Sequence, residues 1–213
     1  AIRKSVDDEQ KNGLYLLTGS SSQTVTTPHT GTLRISTLKM YPMSLYESKE
    51  SNGTVSIKSL FDNPEALKDG CISDLTIDDL IFVICRGGWP RCFINKTDRA
   101  KLAIAKDLFW QTCNVDISNI DGISRNALWA ETILKSYARN ICTTAEKKTI
   151  EADVQSACDV STVTINDYIN ALKKLYIIED IDAWCPAIRS KTAIRSSVKR
   201  NLIDPSLAVA ALG

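Results

Sequence analysis

The chain has 213 residues, enough for one large domain or two small ones, and its 44% apolar and 24% charged residues are close to the globular average. This composition excludes the disordered, collagen-like and low-complexity classes. The formal net charge is +1, so any affinity for nucleic acid requires a local basic patch and not a generally basic surface.

The cysteines and the N-terminus indicate the compartment. No apolar run reaches the roughly 18 residues that cross a bilayer, and the first residues lack the apolar core of a signal peptide. The seven cysteines are scattered without a Cys-x-x-Cys motif, and His29 is the only histidine, which argues against a zinc site. An odd number of cysteines, several in apolar stretches, is typical of reduced thiols. We therefore expect a cytoplasmic protein with no metal site and no membrane partner.

A short apolar run near the N-terminus predicts a buried β-strand. Residues 14–18 (Leu-Tyr-Leu-Leu-Thr) have the composition of a strand covered on both faces, and such a strand requires neighbours on each side. The next hundred residues do not supply the βαβ units that would provide them. The run therefore indicates part of a larger sheet; a self-contained chain with ragged ends is the alternative. After a polar loop at 19–32, residues 33–45 predict an edge strand, because Pro42 is confined to an edge or a strand end.

The middle of the chain has helical patterns. Residues 76–79 (Thr-Ile-Asp-Asp) resemble a capping box that opens a helix, and the Gly-Gly-Trp-Pro run at 87–90 must end it. Apolar residues recur at helical spacing over 97–113 and again over 125–141. These patterns predict a helical linking region over residues 51–141.

The last third has the order of a winged helix-turn-helix. A capping-box pattern at 143–146 (Thr-x-x-Glu) opens a helix near 144–156, and Ser161 is a natural N-cap for a second helix. Residues 176–181 and 201–203 then predict two strands that return on each other. Two helices joined by a short turn and followed by a hairpin are typical of that motif.

Most catalytic motifs are absent from the sequence. It contains no Gly-x-x-x-x-Gly-Lys-[Ser/Thr] loop, no dinucleotide-binding glycine motif, and no metalloprotease or hydrolase motif. The hydroxyl residues that follow the run at 14–18 indicate a candidate ligand site, because α/β proteins bind ligands at the carboxyl edge of the sheet. Thr18 and Ser20 could bind a phosphate or position a water there; a serine-rich loop without a role is the alternative.

Several stretches, in order along almost the whole chain, carry a family resemblance. They are residues 3–20, 29–35, 39–47, 86–90 (Arg-Gly-Gly-Trp-Pro), 163–172 and 202–207 (Leu-Ile-Asp-Pro-Ser-Leu). Together they resemble prokaryotic AAA-type P-loop ATPases that carry a C-terminal domain of unknown function with a winged-helix core. Residues 86–90 are similar to the Gly-Gly-x-Pro signature of that domain.

The resemblance implies roles for three residues. Thr18 and Ser20 would lie in the sensor region, after the strand next to the one that bears the Walker B acid. Arg34 matches an arginine that could approach the γ-phosphate of ATP, in its own or a neighbouring subunit. A strand-edge arginine paired with a surface acid is the alternative. The sequence departs from the family at Leu33, where glycine is common.

A larger departure is the absence of both Walker motifs, which bind the phosphates and magnesium in this family. The resemblance therefore implies that ATP and magnesium are cofactors of an intact parent protein. This chain alone is expected to bind neither and not to hydrolyse ATP. The missing N-terminal P-loop segment would be its main partner, and a homo-oligomer is a further candidate.

The predicted wing is basic and could contact DNA. Its cations, with no acid among them, are Arg189, Lys191, Arg195, Lys199 and Arg200. Such side chains can contact phosphates, so DNA is a candidate partner, and a solvated loop without a ligand is the alternative. The second helix is weakly suited to reading bases, because Asp167 opposes Lys173 and Lys174.

Together, the patterns and the resemblance predict a mainly α fold with minor β structure (α+β). Residues 1–50 would be the trailing part of an AAA-type nucleotide-binding domain, with residual strands of its sheet. Residues 51–141 would form the helical linking region and 142–213 the winged-helix domain. The predicted function is that of a C-terminal fragment of a prokaryotic AAA-type ATPase. The alternatives are a non-enzymatic winged-helix DNA-binding or regulatory module and an interaction adaptor that has lost ATPase activity.

Overall fold

The computed structural model describes residues 2–9, 11, 13–19, 36, 38–67, 70–186, 191 and 196–213. Within these residues the protein is mainly helical, as predicted, and its strand structure consists of two isolated antiparallel bridges, Ile178 with Leu202 and Ile181 with Lys199. The helices are α1 (Ile2–Glu9), α2 (Ile57–Asp62), α3 (Ile77–Arg86), α4 (Pro90–Ile94), α5 (Asp98–Gln111), α6 (Ile117–Asn119), α7 (Ala127–Arg139), α8 (Lys147–Ala157), α9 (Thr162–Lys174) and α10 (Pro205–Leu212). A 3-10 turn (Pro64–Leu67) follows α2.

The ends of α3 follow from its sequence. The Thr76 hydroxyl accepts a hydrogen bond from the Asp79 amide, and the Asp79 carboxylate accepts one from the Thr76 amide, both at 3.1 Å. This is the predicted capping box. The helix ends at Arg86 because Gly87 adopts a φ of 76°, and Pro90 then occupies the first turn of α4.

The other predicted helices in the middle of the chain also form. α5 fills most of the range 97–113, and the chain continues through a π-helical turn (Thr112–Asp116) into α6. α7 lies within the predicted range 125–141. Ser161 caps α9, since its hydroxyl accepts a hydrogen bond from the Thr164 amide at 3.2 Å.

α7 lies in the hydrophobic core and packs against α8, α9 and α10. It buries Ile133, Leu134 and Tyr137, and α9 adds Ile165 and Leu172. Burial of side chains of this size is the main driving force for the packing. Because α7 belongs to the region predicted as a linker, that region and the last third of the chain share one core.

The last helix, α10, contacts helices from the earlier and the later part of the chain. α10 contacts α3 and α5 as well as α7, and it buries Leu207, Ala208 and Ala211. The Asp204 carboxylate caps the helix by accepting a hydrogen bond from the Ser206 amide at 2.9 Å. The sequence Asp-Pro-Ser at 204–206 therefore fixes where α10 begins.

The two strands predicted near the N-terminus do not form within the described residues. Residues 14–18 form no regular secondary structure and have no strand partner in the described part of the chain, and Leu16 is 94% exposed. Of the strand predicted at 33–45, residues 33–35 and 37 lie outside the described residues. Residues 38–43 are not paired as a strand, and a turn follows at 45–49. Strand-like composition does not make a strand unless a neighbouring strand supplies hydrogen-bond partners.

The capping box predicted at Thr143 and Glu146 is wrong. The Arg200 amide donates to the Thr143 carbonyl, and the Arg200 carbonyl accepts from the Cys142 amide, both at 2.8 Å. These bonds hold residues 142–143 against the returning strand, away from the start of α8. The helix therefore begins at Lys147, and Glu146 occupies its N-cap without a side-chain hydrogen bond.

Candidate functional site

Of the three predicted catalytic residues, the structure describes one. Thr18 is exposed at the end of the segment 14–18, while Ser20 and Arg34 lie outside the described residues. Among the residues that are described, no three histidine, cysteine or acidic side chains are placed to hold a metal ion. Thr18 alone does not define a nucleotide site, so no step through ATP or magnesium follows from it.

The predicted DNA-contacting residues fall into three groups. Lys191 and Lys199 are exposed, as a phosphate contact requires. Arg200 is only 8% exposed, so it is not the free surface cation that the sequence predicted. Arg189 and Arg195 lie outside the described residues.

Arg200 is buried because acidic and carbonyl oxygens surround its guanidinium. Its Nη1 donates to Asp180 Oδ2 and its Nε donates to the Ala145 carbonyl, both at 2.9 Å. Lys173, near the end of α9, lies 2.8 Å from the same Asp180 oxygen. Burial and the Asp180 charge raise the pKa of Tyr137, whose hydroxyl lies 3.5 Å from that oxygen. This cluster ties the two strands of the predicted wing to α7 and α9.

The exposed face of α9 carries an acid that is paired with a buried arginine. Asp167, in the middle of the helix, forms an ion pair with Arg125 Nη2 at 3.0 Å. Arg125 is buried and also forms an ion pair with Asp121 at 2.6 Å, and its hydrogen bonds lower the pKa of Asp121 to about 2. Arg125 therefore joins the middle of α9 to the turn that precedes α7.

Residues 86–90, the glycine turn, contact the start of α10. The Asp204 carboxylate accepts hydrogen bonds from the Gly88 amide at 2.9 Å and from the Ser206 hydroxyl at 2.6 Å. The Trp89 indole nitrogen donates to the Ser206 hydroxyl at 2.9 Å. Two of the motifs that carry the family resemblance are therefore in direct contact. These bonds fix the position of the glycine turn relative to the first turn of α10.

A segment before α2, residues 38–50, lies against the glycine turn, and we name it the strap. The Met43 amide donates to the Gly88 carbonyl at 2.7 Å. Glu50 forms a bidentate ion pair with Arg86, with N–O distances of 2.6 and 2.9 Å. Arg86 is buried, and its hydrogen bonds lower the pKa of Glu50. The strap is thus anchored at the glycine turn and at the end of α3.

The other end of the strap contacts the predicted wing. Lys39 forms an ion pair with Glu179, and the Tyr41 hydroxyl donates to the same carboxylate at 3.0 Å. The Lys39 ammonium also lies 4.9 Å from the centroid of the Tyr41 ring and 5.0 Å from that of Tyr176. Glu179 directly precedes Asp180, so adjacent residues of one strand contact the strap and the internal cluster.

Two shallow grooves are among those on the surface of the described residues. The larger, of about 490 Å³, lies between α7, α8 and α10, and the smaller, of about 400 Å³, follows residues 155–160. In the larger groove the Asp153 carboxylate accepts a hydrogen bond from Ser136 at 2.6 Å and pairs with Arg139. Because these polar groups satisfy one another, the groove does not define a catalytic site.

Three cysteines, Cys92, Cys113 and Cys158, are buried as free thiols. Burial raises the pKa of the Cys92 thiol, and it raises that of Cys113 to about 12, so both stay protonated and behave as small apolar side chains. None of the helices that the structure describes is both long and apolar enough to cross a membrane.

The fold and these contacts define a mainly helical protein in which α3 to α10 share extensive contacts. Residues 77–213, well over half of the chain, match a family described as a domain of unknown function, DUF8612, and the chain belongs to that family. The match begins at the first residue of α3 and includes the glycine turn and α10. No curated protein and no solved structure matches the chain.

Sequence reasoning missed four acids that hold the elements together: Glu50, Glu179, Asp180 and Asp204. Asp204 had a local signal, because Asp-Pro-Ser is typical of a helix start. The other three have partners that are distant in sequence, so nothing in their local pattern identifies them.

Proposed function

We propose that this chain is the C-terminal part of a prokaryotic AAA-type ATPase, in which ATP hydrolysis in a preceding P-loop segment drives movement of a winged helix. The observation that carries the proposal is the apolar segment at 14–18, which is unpaired within the described residues and largely exposed. Leu16 and Leu17 are 94% and 68% exposed there. Burying a leucine is worth about 2 kcal/mol, so the segment is suited to pairing within the sheet of another unit.

The distribution of exposed apolar side chains supports contact with such a unit. Most of the large apolar side chains that are exposed in the described residues lie before residue 95, among them Phe61 and Ile77. The buried core instead draws on residues from 113 to 211. Exposed apolar surface of this kind is typical of sites that contact another protein. The nucleotide-binding unit implied by the resemblance would cover it.

The packing of α7, α8 and α9 supports the winged-helix part of the proposal. Three short pieces of chain lie beside one another next to these helices. Residues 142–143 are bonded to Arg200, and residues 178–181 are bridged to 199–202. Helices followed by a bridged hairpin have the order of a winged helix-turn-helix. In this proposal α9 is the recognition helix and residues 178–202 contain the wing.

The proposed parent protein divides its functions between two segments. ATP and magnesium would be held by the P-loop segment, and this chain by itself would not hydrolyse ATP. Thr18 and Ser20 would act in the sensor region, and Arg34 would stabilise charge on the transferred phosphoryl group. A homo-oligomer would allow Arg34 to act on a neighbouring subunit. The reduced thiols favour a cytoplasmic compartment.

The codons that precede Ala1 in the gene test this proposal. They are expected to encode a Gly-x-x-x-x-Gly-Lys-[Ser/Thr] loop followed by a Walker B acid. The product of the whole gene should hydrolyse ATP, and Arg34→Ala should lower its kcat by about 100-fold or more. Lys106→Ala, which removes an exposed cation of α5, is the matched control and should leave kcat unchanged. A gene without the loop, or a whole product without ATPase activity, contradicts the proposal.

A second candidate function is a non-enzymatic winged-helix module that binds DNA or regulates a partner. The observation that favours it is Lys199, an exposed cation on the returning strand, paired through its backbone with Ile181. Duplex DNA titrated at two salt concentrations tests it, because neutralised phosphates release counterions. Lys199→Ala should weaken binding and reduce the salt slope by about 1, and Lys106→Ala should change neither. Absence of binding at low salt rejects this candidate.

A further inference from the structure

The strap has three anchors, at two places that are distant from it in sequence: the predicted wing and residues 86–88. Its first anchor is Glu179 in the predicted wing, which binds Lys39 and Tyr41. Its second is the glycine turn, through the backbone bond from Met43, and its third is Arg86 at the end of α3. One short piece of chain therefore connects the wing to the helix at which the family match begins.

The wing end of the strap is held more weakly than the α3 end. The side chains of Lys39 and Glu179 are 23% and 29% exposed, whereas that of Arg86 is 6% exposed. Solvent screens a partly exposed ion pair, and breaking a buried one is more costly. The contact with Glu179 should therefore open first when the strap is pulled.

Glu179 also belongs to the pairing of the two wing strands. Its amide donates to the Asn201 carbonyl at 3.0 Å, and Ile181 and Lys199 exchange two backbone bonds of 2.8 and 2.9 Å. Asp180, between them, binds Arg200 and Lys173. A force on the Glu179 side chain is thus applied to the residues that set the position of the wing.

We propose that the strap is a conformational coupling device. Through Lys39, Tyr41 and Glu179 it adds to the hold that the Asp180 cluster has on the wing, and a unit that engages the chain before residue 38 loosens the wing by drawing the strap away from Glu179. Segments with two discrete arrangements are a common basis of such switching. The inference rests on the proposed function only for the identity of that unit, because the hold on the wing is a property of this chain.

Amide hydrogen exchange of the full chain, resolved by NMR, tests the coupling. The Ile181 amide reports on the wing, the Met43 amide on the strap, and the Ile165 amide, bonded to Ser161 in α9, on the core. Glu179→Lys places a cation opposite Lys39. It should raise the exchange rates at both Met43 and Ile181 by about tenfold and leave that at Ile165 unchanged. Tyr41→Phe, a milder change, should raise the same two rates by a smaller factor.

Charge reversal at both positions is the deciding comparison. The double variant Lys39→Glu with Glu179→Lys restores an ion pair and should return both rates to within about twofold of wild type. Lys106→Glu makes the same charge reversal as Lys39→Glu, but on α5, and should alter neither exchange rate. Faster exchange at Ile181 without any change at Met43 would mean that the contacts are independent. That outcome overturns the proposal. Unchanged exchange rates in Glu179→Lys, or exchange rates that stay high in the double variant, also overturn it, and these results do not depend on whether the parent is an ATPase.

Discussion

The indole nitrogen of Trp89 donates a hydrogen bond to the hydroxyl of Ser206 at 2.9 Å, across 117 positions of sequence. Ser206 in turn donates to Asp204, which accepts from the Gly88 amide. A closed set of hydrogen bonds therefore joins the glycine turn to the first turn of α10. Such buried sets are costly to interrupt, because a donor that loses its acceptor cannot turn to water instead.

Asp204→Ala should destabilise the protein strongly. The buried carboxylate accepts three hydrogen bonds, from the Gly88 amide and from the amide and hydroxyl of Ser206. We expect the free energy of unfolding to fall by about 3 kcal/mol, against about 1 kcal/mol for the loss of an ordinary N-cap. Urea denaturation measures the change, with the exposed Asp159→Ala as control. A loss no larger than that of an ordinary cap contradicts a joining role for Asp204.

Gly88→Ala should displace the strap. A Cβ at this position would collide with the backbone of Met43, which cannot move aside as a flexible side chain can. We expect a loss of about 2 kcal/mol or more in unfolding free energy and faster proteolysis within residues 38–50. Gly122→Ala shows the opposite case, because its φ of 74° imposes strain, which Gly88 lacks, while nothing lies within 4 Å of the added carbon; it should leave proteolysis within residues 38–50 unchanged. A Gly88→Ala variant with the stability and the proteolysis of wild type would contradict the close approach of the strap to Gly88.

The elements that the sequence predicts correctly depend on local signals. The periodicity over 97–113 and 125–141 places α5 and α7, and the hydroxyls of Thr76 and Ser161 mark helix starts within a few residues of their partners. Each of these features is determined by residues within one or two turns of the same helix, so one stretch of sequence contains all the information.

Features that depend on a partner distant in sequence were not predicted. Arg200 was interpreted as a cation of the wing that could contact phosphates because no acid lies among the five wing cations, yet Asp180 on the facing strand pairs with it. Thr143 was interpreted as a cap, but its backbone is bonded to Arg200. Composition predicts which residues carry charge or favour a strand, and the tertiary fold decides which partners they meet.

Glu50→Ala should lower the free energy of unfolding more than the removal of both members of the Glu50–Arg86 ion pair does. The variant leaves the buried Arg86 guanidinium without a counter-charge, which we expect to lower the unfolding free energy by about 3 kcal/mol. Arg86→Met with Glu50→Met removes both charges and should recover part of this loss. Chemical denaturation of the three proteins measures the coupling. A double variant that is less stable than Glu50→Ala would contradict this interpretation of the pair.

The ion pair between Arg125 and Asp121 should make stability depend on pH. Hydrogen bonds from Arg125 lower the folded-state pKa of Asp121 from the ordinary 3.8 to about 2. The resulting stabilisation is fully present above the unfolded pKa and is lost as the pH falls from about 4 towards 2. Arg125→Met should lower the unfolding free energy by about 2 kcal/mol at pH 7 and flatten its decline in that window. Parallel profiles for the two proteins between pH 5 and 2 would exclude this linkage.

The proposal that residues 14–18 belong to a larger nucleotide-binding sheet is tested most directly by hydrogen exchange in the product of the whole gene. Peptides that cover these residues should exchange rapidly in the chain of 213 residues, because the segment forms no regular secondary structure and most of it is exposed. In the whole product they should become protected by at least about 100-fold, as expected for a strand inside a sheet. Equally rapid exchange in both proteins would contradict the proposal.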